Sequence, residues 1–197
     1  TGKFDSTNKK RIKDFLIIEG LHSLYFKDLN NRFDLNVFLD VEEKIKNEAK
    51  LTRDLERKKT KREINKEIKK RKEDFDSYIL PQSDFADISI KTLISTEEEV
   101  VFDINLNEDY LYELEHIILN NKNLDMVKII NIERASLVLN INKKRADEFF
   151  TILSEGVINL KDKDFDLNEI RKTSSGEVLI KTGLILHILN KKLETTI

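Results

Sequence analysis

An uninterrupted apolar run near the start of the chain is the feature that most limits the fold. Residues 15–18 read FLII, and Glu19, Gly20 and His22 follow within four positions. A short apolar run that ends in turn signals is typical of a strand buried on both faces, as in parallel α/β sheets. Ligands of such sheets bind at the carboxyl ends of the strands. The stretch therefore predicts either an active-site edge, with Glu19 able to hold Mg²⁺, Gly20 allowing a sharp turn and His22 able to reach an anion, or a plain buried strand with a solvated end.

The residues up to position 90 continue this α/β pattern. Residues 35–40 predict a second buried strand that ends in a carboxylate. Two helices follow on either side of the basic segment RKKTKR at 57–62, and the second ends before Pro81. A short strand is predicted at 86–90. The apolar stripes expected to face inward comprise Ile45, Ala49, Thr52 and Leu55 on the first helix, and Ile64, Ile68, Phe75 and Ile79 on the second.

From residue 91 onward the pattern is that of an α+β segment. Strands are predicted at 99–106, 126–132 and 135–141, helices at 108–120, 144–153 and 177–193, and a polar loop at 159–176. We therefore predict two domains, residues 1–90 and 91–197. The large side chains expected in the core are Tyr110, Tyr112, Phe149 and Phe150, and His116 and His187 are expected to be packed rather than to act as ligands.

Composition restricts the classes of protein that remain. The chain has 39% hydrophobic and 37% charged residues, which is a soluble, globular profile, and it has no apolar run long enough to span a bilayer. The absence of cysteine excludes disulfides and thiolate sites and is compatible with a reducing, cytoplasmic setting. Residues 50–72 hold twelve Lys and Arg against four Asp and Glu, a net charge of +8 in a chain whose net charge is −2. This segment is suited to contact anions.

Several short motifs, taken in order, resemble those of the phosphoribulokinase/uridine kinase family. Residues 19–22 read EGLH, residues 35–40 resemble the family's next sheet strand, and residues 50–54 read KLTRD, similar to K-L-x-R-D at the start of the lid. Glu56-Arg57 corresponds to the E-R that follows. Arg71, then YILPQ at 78–82 and ADI at 86–88, resemble the closing segment of the same region. The resemblance covers residues 15–90.

The resemblance implies a partial P-loop kinase core of three layers, with the α+β region after it, and transfer of the ATP γ-phosphoryl group to a hydroxyl of a sugar or nucleoside. It also implies the following roles. Glu19, Arg53 and Arg57 would be catalytic, with Glu19 in the Mg²⁺ shell and the two arginines forming a phosphate clamp one helical turn apart. Lys50 and His22 would face the acceptor, Asp54 would orient an arginine at the substrate, and Lys58, Lys59, Lys61 and Arg62 would form a lid over ATP.

The chain also departs from the family pattern. The opening residues TGKF do not form a phosphate-binding loop, because G-x-x-x-x-G-K-[ST] after a strand is required. Neither that loop nor the catalytic base that precedes the family's EGLH strand is in the sequence, and lysines follow Glu56-Arg57 where the family usually has glycine. We therefore expect a fragment of a kinase that is inactive alone, with a sheet edge left free to pair with a second copy. The alternative is a degenerate kinase-like protein with a different role.

A second class of function stays open. The basic segment at 50–72 could serve a non-catalytic module that binds RNA, DNA or another polyanion, with affinity that falls steeply as salt rises. The absence of an aromatic residue in this segment disfavours base stacking, and the rest of the chain is acidic. The acceptor of the kinase reaction also stays open: EGLH and Pro81-Gln82 resemble phosphoribulokinases more, whereas the general pattern is shared with uridine kinases.

Overall fold

One mixed five-stranded sheet organises the chain. The computed structural model describes residues 16–106, 108–120, 127–133, 136–155 and 167–195. Its strands lie in the order β1-β2-β3-β5-β4. β1 pairs with β2 in parallel, and all other neighbours are antiparallel. The strands are β1 Val37–Val41, β2 Ile88–Ser95, β3 Glu99–Leu106, β4 Val127–Glu133 and β5 Ser136–Asn142.

Seven helices accompany the sheet in the described part of the chain. The connection between the parallel strands β1 and β2 is a helical hairpin, because parallel neighbours require a long crossover. This hairpin ends in a π-helical turn at Phe75–Ile79 and a 3₁₀ turn at Leu80–Phe85. The helices are α1 Lys27–Asn30, α2 Glu43–Glu56, α3 Lys61–Asp74, α4 Glu108–Asn120, α5 Ala146–Glu155, α6 Leu167–Thr173 and α7 Gly176–Thr195.

The hydrophobic core lies on one face of the sheet. Alternate residues of β2, β3 and β5 point into it, as the two-residue period of a strand requires, and α4, α5 and α7 cover them. Phe102, Phe149 and Phe150 are completely buried there. The residues between these positions on β3 and β5 are largely polar, for example Asp103 and Asn140. The core therefore draws mainly on residues after position 87.

Most of the predicted elements are confirmed, and the fold is mixed α/β as expected. β3 and α4 have the predicted bounds, while β1, β4, β5, α2, α5 and α7 differ by a few residues at their ends. The sheet runs without a break through β2, which contains the predicted domain boundary at 90/91. The division into two domains stays a prediction.

The predicted buried strand at 15–18 is wrong. Phe15 lies outside the described residues. Leu16, Ile17 and Ile18 form no strand and are 61%, 79% and 46% exposed. A strand needs a neighbour to satisfy its backbone N–H and C=O groups, and no described strand pairs with this run. An apolar run by itself does not provide that neighbour.

Four further predictions need correction. The stripe on α2 faces outward, with Ala49, Thr52 and Leu55 exposed, because the inward face of this helix carries Lys50 and Asp54. Tyr112 and His116 are exposed on α4, since Leu111, Leu114 and Ile118 occupy its buried side. Within the predicted loop 159–176, residues 159–166 lie outside the described residues and 167–173 form α6. His187, Phe149 and Phe150 are buried as predicted, and Tyr110 packs against the core.

The close packing of α7 on α5 gives a first prediction. A Cβ built at Gly183 would lie 3.3 Å from Phe150 Cα, so a larger side chain must displace α5. We expect Gly183→Leu to lower the free energy of unfolding by about 1–3 kcal/mol, the usual range for overpacking. Urea unfolding measures this. The matched control is Gly20→Leu, because a Cβ at Gly20 meets nothing within 4 Å, and equal losses in the two variants would contradict the packing argument.

Candidate functional site

The turn that carries Glu19 and His22 lies at the surface. Both side chains are exposed. The Gly20 carbonyl accepts hydrogen bonds from Ser23 N at 3.3 Å and Ser23 Oγ at 3.1 Å, which closes the turn. Gly20 does not have positive φ, so the turn does not depend on glycine in the way predicted. The His22 ring packs edge-on against Tyr25, with ring centroids 5.9 Å apart.

A buried glutamine from a distant part of the chain holds this turn. The Gln82 side chain accepts a hydrogen bond from Leu24 N at 3.1 Å and donates one to the Leu21 carbonyl at 2.9 Å. Gln82 is only 4% exposed. The structure thus brings the EGLH motif and the YILPQ motif, about sixty residues apart in sequence, into direct contact.

A cluster of charged side chains joins α2 to α3. The Lys50 ammonium group donates to Asp54 Oδ2 at 2.8 Å and to Glu67 Oε2 at 2.9 Å. Glu67 also accepts from Lys59 at 2.8 Å, and Asp54 accepts from Arg53 Nε at 3.3 Å. Lys50 and Asp54 are buried, whereas the Arg53 side chain is half exposed. We call Lys50, Arg53, Asp54, Lys59 and Glu67 the hairpin ion cluster.

The cluster changes the acidity of its carboxyl groups. The hydrogen bond from Lys50 lowers the pKa of Asp54 to about 2, against desolvation, which raises it. Hydrogen bonds from Lys59 and then Lys50 lower the pKa of Glu67 to about 2. Its hydrogen bonds to Asp54 and then to Glu67 raise the pKa of Lys50. All three groups are therefore charged at neutral pH, as a buried cation between two carboxylates requires.

The loop between α2 and α3 contains a strained residue. Lys58 has φ of 61°, the left-handed conformation that favours glycine. Its N–H donates to the Leu55 carbonyl at 2.9 Å, and Lys59 N–H donates to the Asp54 carbonyl at 3.1 Å. This is the Schellman ending of a helix, in which glycine usually occupies the left-handed position. Lys58 stands where the family pattern has glycine.

A capping box begins α3 immediately after this loop. Thr60 Oγ1 accepts from Glu63 N at 3.3 Å, and Glu63 Oε2 accepts from Thr60 N at 2.8 Å. The backbone and hydroxyl of Thr60 lower the pKa of Glu63. The two ends of the loop are thus fixed by hydrogen bonds, so the loop directs its cations from a defined backbone.

The cations of the loop divide into bound and free groups. Lys59 is held by Glu67. Within the described part of the chain, Arg57, Lys58, Lys61 and Arg62 are exposed and make no ion pair with an acidic side chain. These four side chains are available to an anionic ligand, and Lys59 is available only if Glu67 releases it.

The predicted site residues thus form two groups. Glu19 and His22 lie on the surface turn, and the remaining predicted residues lie on the hairpin, where Asp54 contacts both Lys50 and Arg53. Among the residues that the structure describes, no hydrogen bond or ion pair joins the turn to the hairpin ion cluster. The contacts of Lys50 and Asp54 are internal to the hairpin, and their predicted roles in substrate binding stay predictions.

Glu19 could supply at most part of a Mg²⁺ site. The described residues contain no group of three His, Asp or Glu side chains that could hold a metal ion. Protein-bound Mg²⁺ usually takes one or two carboxylates and completes its shell with water and substrate phosphates. An exposed carboxylate such as Glu19 fits that limited role. The same described residues include no helix long and apolar enough to cross a membrane.

Comparison with known proteins assigns the first half of the chain. The model of the "Phosphoribulokinase / Uridine kinase family" matches residues 2–98. Residues 2–98 belong to this family. Both the turn at 19–22 and the hairpin lie inside the matched region, and the mixed α/β fold is consistent with part of a P-loop kinase.

Named members of the family are similar to the same half. A phosphoribulokinase of Synechocystis sp. is 39% identical over 94 residues, which is 47% of this chain and 28% of the relative. The chloroplastic phosphoribulokinase of Chlamydomonas reinhardtii is 38% identical over 94 residues, covering 47% of this chain and 25% of the relative. That of Arabidopsis thaliana is 34% identical over 97 residues, covering 49% and 25%. The chain spans about a quarter of the length of these relatives.

Sequence reasoning missed three features that build this region: the contacts of Glu67, the contacts of Gln82 and the capping box of α3. Glu67 has no local signal, because its contact with Lys50 joins two helices. The sequence marks Gln82 only as part of the YILPQ motif, and its buried contacts are equally long-range. The capping box could have been found, since T-x-x-E at 60–63 before the helical period is a recognised start signal.

The strained lysine gives a prediction about stability. We expect Lys58→Gly to raise the free energy of unfolding by about 0.5–1 kcal/mol. Glycine adopts positive φ without the Cβ clash, and this gain is only partly offset by the greater entropy of glycine in the unfolded chain. Lys58→Ala removes the charge but keeps the Cβ, so it should give no such gain. Urea unfolding of the three proteins tests this, and equal stabilisation by both substitutions would assign the effect to charge.

The lowered pKa values give a prediction about acid. The ordinary pKa values of Asp54 and Glu67 are 3.8 and 4.5, and in the folded chain both are about 2. The charged carboxylates therefore stabilise the hairpin fully above about pH 4.5, and this stabilisation is lost as the pH falls toward 2. Amide hydrogen exchange in α2 and α3, measured by NMR from pH 6 to pH 2.5, should show the loss. Glu67→Gln removes one of the two titrating groups. If protection in this variant falls with pH as steeply as in the wild type, the loss is not due to Asp54 and Glu67.

Proposed function

We propose that this chain supplies the lid and part of the substrate side of an ATP-dependent kinase that phosphorylates a hydroxyl group of a sugar or nucleoside. The observation that carries the proposal is the match of residues 2–98 to the phosphoribulokinase/uridine kinase family, which includes both the turn and the hairpin. The relatives named above are phosphoribulokinases, so a sugar phosphate such as ribulose 5-phosphate is the first acceptor to test, and uridine is the second.

The free cations suit the electrostatics of phosphoryl transfer. The transferred group carries negative charge on three equatorial oxygens, and catalysis consists mainly of positioning and charge stabilisation. Arg53 and Arg57 lie one helical turn apart, so their guanidinium groups can contact one polyphosphate. Lys58, Lys61 and Arg62 extend this positive surface along the loop and act as the lid.

The hairpin ion cluster has a supporting role in this proposal. Asp54 accepts from Arg53 Nε at 3.3 Å and leaves the terminal nitrogens of that guanidinium free for phosphate oxygens. Lys50 keeps Asp54 charged and in place. Lys59, held by Glu67, maintains the hairpin until a phosphate competes for it. We propose that Lys50 and Asp54 affect the substrate through Arg53.

The turn provides the remaining predicted groups. When bound, Mg²⁺ neutralises charge on the phosphates of ATP, and the Glu19 carboxylate is the described group suited to hold it or to orient its waters. His22 is exposed beside Tyr25, and we propose that it contacts an anionic acceptor such as a sugar phosphate. Convergence of the turn and the hairpin on one nucleotide is a requirement of the proposal.

These 197 residues lack the phosphate-binding loop of P-loop enzymes. The 197 residues contain no G-x-x-x-x-G-K-[ST] sequence, the loop that cradles the phosphates of ATP in P-loop enzymes. We therefore propose that phosphoryl transfer requires sequence beyond these residues, as is in keeping with a chain that spans about a quarter of its relatives.

A phosphotransfer assay tests the proposal. The 197-residue chain and the polypeptide translated from its complete reading frame are each given Mg²⁺-ATP with ribulose 5-phosphate, uridine, cytidine or pantothenate, and ADP release is measured. We expect no turnover by the chain alone and turnover of one acceptor by the complete polypeptide. Turnover by the chain alone would contradict the argument from the missing loop, and failure of the complete polypeptide with all acceptors would contradict the function.

A pair of charge variants in the complete polypeptide tests the assigned roles. Arg57→Gln should lower kcat/KM for ATP by about tenfold to a hundredfold, because one charge-assisted phosphate contact is lost. Lys69→Gln removes an exposed cation from α3, away from the loop, and should change kcat/KM less than twofold. Equal losses would favour a nonspecific polyanion surface, which RNA binding with a steep salt dependence would then support.

A further inference from the structure

The only glutamine in the sequence occupies an unusual position. Gln82 lies in the 3₁₀ turn at Leu80–Phe85, and its side chain is buried. Its Oε1 accepts from Leu24 N at 3.1 Å, and its Nε2 donates to the carbonyls of Leu21 at 2.9 Å and Tyr78 at 2.7 Å. A single side chain thus satisfies three backbone groups from two segments of the chain.

This contact requires the chemistry of a carboxamide. The backbone N–H of Leu24 needs an acceptor, and the two carbonyls need donors, which only an amide group provides at one point. Asn30 completes the arrangement by donating from Nδ2 to the Leu24 carbonyl at 2.7 Å. Both backbone polar groups of the buried Leu24 are therefore held by side-chain amides, and an unpaired group there would carry a desolvation penalty.

The same side chain reaches the end of the lid helix. Tyr78 lies in the π-helical turn at Phe75–Ile79 that follows α3, and the Leu80 N–H closes this turn on the Phe75 carbonyl. Gln82 therefore joins three elements: the π-helical turn that follows α3, the 3₁₀ turn and the turn that follows Glu19. Wide helical turns of this kind occur frequently at functional sites.

We propose that Gln82 is a positioning residue, which fixes the turn bearing Glu19 and His22 relative to the base of the lid hairpin. It contacts neither ATP nor acceptor. It acts by holding the Leu21 carbonyl and the Leu24 N–H, so that the groups at 19 and 22 keep one geometry while the lid cations act. The inference rests on the proposed function, and it assigns to Gln82 a role in kcat rather than in ATP affinity.

The hydrogen-bond clamp is tested first in the 197-residue chain. Selective ¹⁵N labelling of the glutamine amide gives one pair of NMR signals, because the chain has a single glutamine. We expect both protons to exchange slowly, and Gln82→Met to raise amide exchange at Leu24 at least tenfold without changing Leu184 in α7. Ser83→Ala, which removes only the bond to the Leu80 carbonyl, is the matched control and should leave Leu24 protected. Unchanged exchange in Gln82→Met would overturn the clamp, whatever the function.

A second substitution separates positioning from loss of packing. In Gln82→Glu the charged carboxylate has no proton to donate to the carbonyls of Leu21 and Tyr78 and is repelled by both, so it should leave the clamp and release Leu24, although it could still accept a hydrogen bond. Burial raises the pKa of such a carboxyl group. Lowering the pH protonates it and restores one donor. We therefore expect Leu24 protection to return in acid in Gln82→Glu and never in Gln82→Met. If Leu24 protection in Gln82→Glu stays low in acid, the donor role of the amide is overturned.

Kinetics of the complete polypeptide then tests the consequence. We expect Gln82→Met and Gln82→Glu to lower kcat at least tenfold with KM for ATP changed less than twofold, and kcat of Gln82→Glu to recover partly at lower pH. A clamp that is lost without loss of kcat would overturn the positioning role and leave the proposed function intact. Absence of turnover in the wild type would overturn both, and the exchange data would still report the clamp.

Discussion

The Lys50 ammonium group, held between Asp54 and Glu67, decides what the basic hairpin can do. A buried cation must be paired, because an uncompensated charge away from water is strongly destabilising. Pairing it joins α2 to α3 and brings Lys59 to Glu67 as well. The hairpin thereby uses part of its own charge to fix its shape and leaves Arg57 and its neighbours in the loop free. The net charge of +8 in residues 50–72 did not by itself distinguish the cations that fix the hairpin from those that stay free in the loop.

The second organising constraint is long-range hydrogen bonding by side-chain amides. The surface turn at 19–22 is outside the sheet, so no strand partner holds it. Gln82 holds the turn itself at the Leu21 carbonyl, and Gln82 and Asn30 together hold the backbone of Leu24 just after it. A turn held in this way can present its exposed groups in a defined direction. The sequence had predicted that the end of a buried strand would do this. The two family motifs are thus parts of one unit.

Local periodicity predicted the second half of the chain well and the site poorly. β3 and α4 have clear two-residue and 3.6-residue periods, and their bounds match the structure. The run at 15–18 failed because strand formation depends on a neighbour, and the apolar stripe of α2 failed because the ion cluster occupies its inner face. Motif order gave the family, whereas the contacts of Glu67 and Gln82 join residues that sequence separates. Only the capping box at 60–63 was open to prediction and missed.

We propose that the turn at 19–22 and the hairpin at 53–62 surround one polyphosphate. Paramagnetic broadening tests it directly: ¹⁵N-labelled chain is titrated with ATP carrying Mn²⁺ in place of Mg²⁺, and with Mn²⁺ alone as control. The account predicts that amide signals of Glu19–His22 and of residues 53–62 broaden together, and only when ATP is present. Broadening of one group without the other, or of neither, would contradict it.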